Sequence, residues 1–211
     1  MDISIIGIGT VGATLGTLWA RAGHAVTFGA RDPKSAKAAG LLRSIGKTGN
    51  AAITSIGDAV TRGDVILLAV PWANALEIVK SVDGLAGKIV IDPINSFTPE
   101  MTLAVGFTTS VAEEISRAAP GAKVVKAFNS LGIDNVKNLK FGAETASGFI
   151  CGDDKEAKAQ VAKLVEAVGF EVVDCGPLQS ARVLEPLALL WGQLAFVQGL
   201  GSNIAFKLLR R

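Results

Sequence analysis

The first turn of the chain constrains its fold more than any other segment. An apolar run at residues 3–6 leads straight into Gly7-Ile8-Gly9-Thr10-Val11-Gly12, and a helical pattern covers residues 12–22. Strand, tight turn and helix are the context that a G-x-G-x-x-G loop needs. Gly7 permits the sharp turn, Gly9 lets backbone approach a pyrophosphate, and Gly12 lets helix and strand pack closely. Thr10 and Val11 open the helix, whose N–H groups and partial positive charge suit phosphate. The loop therefore predicts a dinucleotide site.

The rest of the chain continues the pattern. Short apolar runs bounded by Gly or Pro predict buried parallel strands at 25–28, 65–70, 88–92, 123–128, 147–151 and 171–174, with a weaker one at 52–55. Helical patterns fall at 34–42, 73–81, 111–118 and 155–168, and residues 101–109 read as irregular. Alternation of this kind predicts an α/β fold: a Rossmann-type, doubly wound, mainly parallel sheet of about eight strands. Residues 1–177 form the expected dinucleotide-binding domain. Residues 178–211 form a C-terminal tail, read as helical at 181–185 and 187–209 and packed on the domain or in a dimer interface. A membrane span is the poorer reading of that tail, because Gln193, Gln198, Gly199, Gly201, Ser202 and Asn203 interrupt it.

Composition narrows the function. With 49% hydrophobic and 19% charged residues the chain has a core to bury, and a net charge of +2 gives no footing for a nucleic-acid partner. Two cysteines, Cys151 and Cys175, make no disulfide framework, and a single histidine excludes His-based metal sites. Met1-Asp2 runs directly into the first strand without a leader, which predicts a cytoplasmic protein.

The end of the second predicted strand bears on the choice of cofactor. An NAD site places an acidic residue there to grip the ribose 2′-hydroxyl. This chain reads Gly29-Ala30-Arg31-Asp32-Pro33-Lys34. Small residues leave room for a 2′-phosphate, Arg31 can bind it bidentately, and Lys34 adds charge. Asp32 is assigned to capping the next helix. NADP(H) is therefore expected over NAD(H).

Further strand ends should face the cofactor. Val70-Pro71-Trp72 closes one of them, with Trp72 either beside the cofactor or merely packed. Asn95, and the run Ala127-Phe128-Asn129, close two others. Asn95 and Asn129 are suited to the nicotinamide edge, or are ordinary loop asparagines. No acid–base catalyst is evident: the chain has no tyrosine, His24 lies in the turn before the second strand, and Lys126 lies within a strand. A hydride acceptor that needs little proton help fits this poverty, which points to a flavin or deazaflavin.

The same residues carry a family resemblance. The glycine loop, Gly29-Ala30-Arg31-Asp32-Pro33, Val70-Pro71-Trp72, Cys151-Gly152-Asp153-Asp154 and Asp174-Cys175-Gly176-Pro177-Leu178 resemble the coenzyme F420-dependent NADP reductase family. The stretches around residues 85–92 and 124–129 are similar to the NADPH:flavin domain of the six-transmembrane metalloreductases. The resemblance covers nearly the whole chain. It implies NADP(H) as cofactor, F420 or FAD/FMN as co-substrate, and a homodimer. Its cofactor contacts fall on Gly9, Thr10, Val11, Ala30, Arg31, Lys34, Val70, Trp72, Ala127 and Asn129. Two other readings stay open: a reductase of small imines or hydroxy acids completed by a dimer partner, and a non-catalytic NADP(H)-binding redox sensor.

Overall fold

A computed structural model describes residues 1–46, 49–130 and 132–211. In chain order the elements begin with β1 (Asp2–Ile6), α1 (Thr10–Arg21), β2 (Ala25–Gly29), α2 (Ala36–Ile45), β3 (Ala51–Thr54), α3 (Ile56–Arg62), β4 (Val65–Leu68), α4 (Trp72–Ser81) and β5 (Ile89–Asp92). They continue with α5 (Val111–Ala118), β6 (Lys123–Lys126), the two-residue strands β7 (Lys140–Phe141) and β8 (Glu144–Thr145), β9 (Ser147–Gly152), α6 (Lys155–Val168), β10 (Glu171–Asp174) and α7 (Ala181–Gly192).

One eight-stranded sheet runs in the order β10-β9-β6-β5-β4-β1-β2-β3. Its pairs are parallel except β6 with β9, so the last two strands run against the others. The winding reverses between β1 and β4, and ligands of such sheets bind in the crevice outside the strand ends at that point. The expected doubly wound, mainly parallel sheet is thus the observed one.

Apolar layers cover both faces. On one, Ile3, Ile5, Leu15, Trp19 and Phe28 pack with residues of α6. The fully buried Trp19 ring donates from Nε1 to Leu164 O at 3.2 Å, which satisfies its polar atom and ties α1 to α6. On the other, Ile6, Val60, Ile66, Leu68, Val90 and Ile115 form the second layer.

The structure departs from the sequence reading in three places. Helix α3 was not expected: Ser55 caps its start, accepting from Asp58 N at 3.2 Å, and Lys88 Nζ closes its end by donating to Val60 O and Gly63 O, each at 2.6 Å. The strands at 65–70 and 123–128 stop at Leu68 and Lys126, which frees the following residues for the strand-end loops. The tail is not helical through 187–209. Helix α7 widens into a π-turn at Gln193–Val197, and Gly199 and Gly201 both take φ of +74°, a backbone region outside the right-handed helix.

Beyond those glycines the tail folds back. Trp191 Nε1 donates to Ile204 O at 2.8 Å, and Ser147 N donates to Phe206 O at 3.0 Å. Among the described residues no helix is long and apolar enough to cross a membrane.

Candidate nucleotide-binding cleft

The glycine loop divides its labour between packing and access. Gly7 has φ of +106° and donates from N to Gly29 O at 2.9 Å, locking β1 to β2. A Cβ on Gly7 would lie 2.3 Å from Ala69 O, and one on Gly12 would lie 2.3 Å from Gly7 O. Both positions are closed to any side chain. A Cβ on Gly9 would meet nothing within 4 Å. Gly9 is therefore not required by packing, and it faces open space at the mouth of α1. That helix has no side-chain cap and no acidic residue in its first turn. The first N–H groups of a helix lack intrahelical acceptors, so those of Thr10, Val11 and Gly12 are available to an anion.

A cleft of about 430 Å³ opens beside this loop. Gly7, Gly9, Ala30, Arg31, Val70 and Pro71 line it together. Ala30 is buried and donates from N to Thr54 O at 3.0 Å, so backbone rather than a carboxylate occupies the end of β2. Arg31 is exposed at the rim.

Lys34 does not line the cleft; Lys37 does, together with Asn74 from α4. The reason is local turn chemistry. Asp32 Oδ1 accepts from Lys34 N at 3.0 Å in a two-residue turn, and Ser35, not Asp32, caps α2 by accepting from Ala38 N at 3.3 Å. The helix starts at Ala36, and its first turn brings Lys37 to the cleft.

Trp72 also lies off the cleft lining. It opens α4 half-buried and packs on the second apolar layer.

The remaining predicted residues, Asn95, Ala127, Phe128 and Asn129, gather at the carboxyl ends of β5 and β6. Ala127 is fully buried and donates from N to Asp92 O at 3.1 Å. Phe128 takes φ of +67°, a costly region for an aromatic residue, and its ring packs edge-on against Trp19 and Phe170. The two asparagines meet. Asn95 Nδ2 donates to Asn129 O at 2.8 Å, while Asn129 Nδ2 donates to Asn95 Oδ1 at 3.2 Å and to Leu184 O at 2.9 Å. Asn129 is only 4% exposed, and its Oδ1 is a buried acceptor without a hydrogen-bond donor.

Beneath this pair lies a charge cluster that sequence reasoning did not see. Lys126 Nζ donates to Asp92 Oδ2 at 2.9 Å and to Glu185 Oε1 at 2.8 Å, with all three side chains fully buried. Burial works against the charge on Lys126, but the two carboxylates outweigh it and hold its pKa above the ordinary lysine value. Burial raises Glu185 above the usual carboxylate range, and Lys126 opposes that rise. Nearby, burial pushes the Cys151 thiol up to about 12, far from a reactive thiolate. His24 is remote from these groups: its Nδ1 lies 3.3 Å from the N-terminal amine. No cluster of metal-ligating residues occurs among the described residues.

The family model for NADP oxidoreductase, coenzyme F420-dependent, matches residues 2–96. The chain is 28% identical to the F420-dependent NADP reductase of Methanocaldococcus jannaschii, over 98% of this chain and 94% of that protein. It is 34% identical to metalloreductase STEAP3 of Rattus norvegicus over 89% of this chain, but spans only 37% of that longer protein. The crystal structure of a candidate F420-dependent NADP reductase from Arthrobacter sp. FB24 superposes with a TM-score of 0.88 and 32% identity, each chain covering 100% of the other. The chain belongs to the F420-dependent NADP oxidoreductase family, and it is an NADP-dependent oxidoreductase.

Proposed function

We propose that the cleft binds NADP(H) and that the chain passes hydride between it and a flavin-type acceptor, F420 or FAD/FMN. The observation that carries this reading is the end of β2, where buried Ala30 and exposed Arg31 stand in the place of an acidic residue. The free amides at Thr10–Gly12 hold the pyrophosphate. Arg31, helped by Lys37, holds the 2′-phosphate. Val70 and Pro71 floor the cleft. Asn95 and Asn129, with the backbone of Ala127 and Phe128, frame the nicotinamide end. When bound, the cofactor supplies the hydride; the protein supplies alignment, and no side chain acts as acid or base.

Residues 1–177 serve as the cofactor domain, with 178–211 packed on it. A cytoplasmic location fits the two free thiols, Cys151 and Cys175. A homodimer fits the exposed apolar residues Val183, Leu190, Phe196, Val197 and Leu200, the last four of them in a stretch without charge from 186 to 206. Sedimentation then shows a dimer for the wild type and a monomer for Leu190→Glu; a wild-type monomer contradicts the pairing.

The function is tested by NADPH oxidation with FMN, FAD and F420 offered singly. Turnover with at least one supports the reading. Tight NADPH binding with no turnover under any of them points instead to a binding module.

A further inference from the structure

We propose that Lys126, Asp92 and Glu185 form a positioning network for the acceptor end of the site, and that α7 enters the site through it; this rests on the function proposed above. Asp92 and Lys126 end β5 and β6 and stand side by side in the parallel register. Their neighbours in the ladder include the apolar Ile89, Val90, Ile91, Val124 and Val125, so the sheet itself does not call for charge here. A buried ion cluster is a poor way to stabilise a core, because apolar residues of similar volume do as well or better.

The geometry shows what the cluster does instead. Lys126 uses all three of its donors: Asp92 Oδ2, Glu185 Oε1 and, at 2.5 Å, Ile94 O. Asp92 Oδ1 accepts from Ile94 N at 2.8 Å. Ile94 is thus held at both its N–H and its carbonyl, and the next residue is Asn95. Glu185 Oε2 accepts from Val111 N at 3.1 Å and so fixes the start of α5. The residue before Glu185 is Leu184, whose carbonyl accepts from Asn129 Nδ2 at 2.9 Å. Each member of the Asn95–Asn129 pair is therefore tied to the cluster through one adjacent residue. The charges set where the two strand-end loops stand relative to each other and to α7.

Glu185→Gln tests this without changing volume. Its amide NH2 faces Val111 N–H or Lys126 Nζ, a donor against a donor. Because small misplacements in an aligned hydride site are costly, kcat with the best acceptor falls about 100-fold while the Kd for NADPH stays within about twofold. The second readout is a cycle with Asn129→Ala. If Glu185 acts through Asn129, the two losses in kcat are not additive; the double variant loses little more than the worse single one. A merely structural role gives additive losses, or a lower melting temperature with normal kcat in the folded fraction, and either overturns the proposal. Should Glu185→Gln not fold, Asp92→Asn enters the same cycle. Failure of the wild type to bind NADPH overturns the underlying function, whereas normal turnover by folded Glu185→Gln overturns the network alone.

Discussion

Replacing Arg31 by Ala isolates the interaction that selects between the two nicotinamide cofactors. Arg31 is exposed at the rim of the cleft, directly after buried Ala30, and no acidic residue stands at the end of β2 to grip a 2′-hydroxyl. A hydrogen bond to a charged group contributes about 1.5–3 kcal/mol. Exposure places Arg31 at the lower end of that range, and Lys37 stays in the cleft to retain part of the attraction. A loss of about 1.5–2 kcal/mol corresponds to a rise of roughly 10- to 30-fold in the Kd for NADPH. NADH lacks the phosphate, so its Kd moves by less than about twofold, and stability is unchanged because surface substitutions usually stay within about 0.5 kcal/mol. Titration of both cofactors into wild type and Arg31→Ala, followed by tryptophan fluorescence or calorimetry, reads the difference directly. Equal weakening of NADPH and NADH refutes the assignment, since a guanidinium bound to the pyrophosphate, or one that merely shapes the cleft, affects both alike.

Gly9→Ala meets no protein atom and leaves the melting temperature unchanged, yet it weakens NADPH and NADH together by crowding the phosphates; Gly12→Ala drives a Cβ toward Gly7 O and lowers the melting temperature in thermal scans. Lys126→Met leaves two buried carboxylates without their cation and destabilises the fold by about 3–5 kcal/mol, measured by urea denaturation. Arg182 donates to both oxygens of Glu113 at 2.7 and 2.9 Å and, with burial opposing, holds that carboxyl below its ordinary pKa. A depressed carboxyl contributes stability above the unfolded value, near pH 4.3, that is lost as pH falls through the folded value. The melting temperatures of wild type and Arg182→Ala therefore differ at neutral pH and converge in acid; a gap that persists in acid refutes this coupling.

How much of this was legible in the sequence follows from how local each cause is. The β1 turn was readable because its glycines answer to atoms a few residues away or in the adjacent strand. Arg31 was readable because strand β2 fixes its place within one residue. Lys37 was not, because a Ser35 cap rather than an Asp32 cap sets the start of α2, and a shift of a few residues decides which lysine reaches the cleft. The apolar residues of the tail suit a helix, but two glycines at positive φ overrule hydrophobic periodicity. The charge cluster was beyond sequence reasoning altogether. Lys126 is 34 residues from Asp92 and 59 from Glu185, and nothing in a strand-embedded lysine announces partners so distant. The sequence points to Asn95 and Asn129 one at a time, whereas their hydrogen bonds to one another depend on the parallel register of β5 with β6.

One titration reaches the centre of the account. Calorimetry of the full wild-type chain with NADPH, and separately with NADH, should show one site per chain with NADPH bound at least about tenfold more tightly, a preference of about 1.4 kcal/mol. No binding of either cofactor at millimolar concentration, or a preference for NADH, contradicts it.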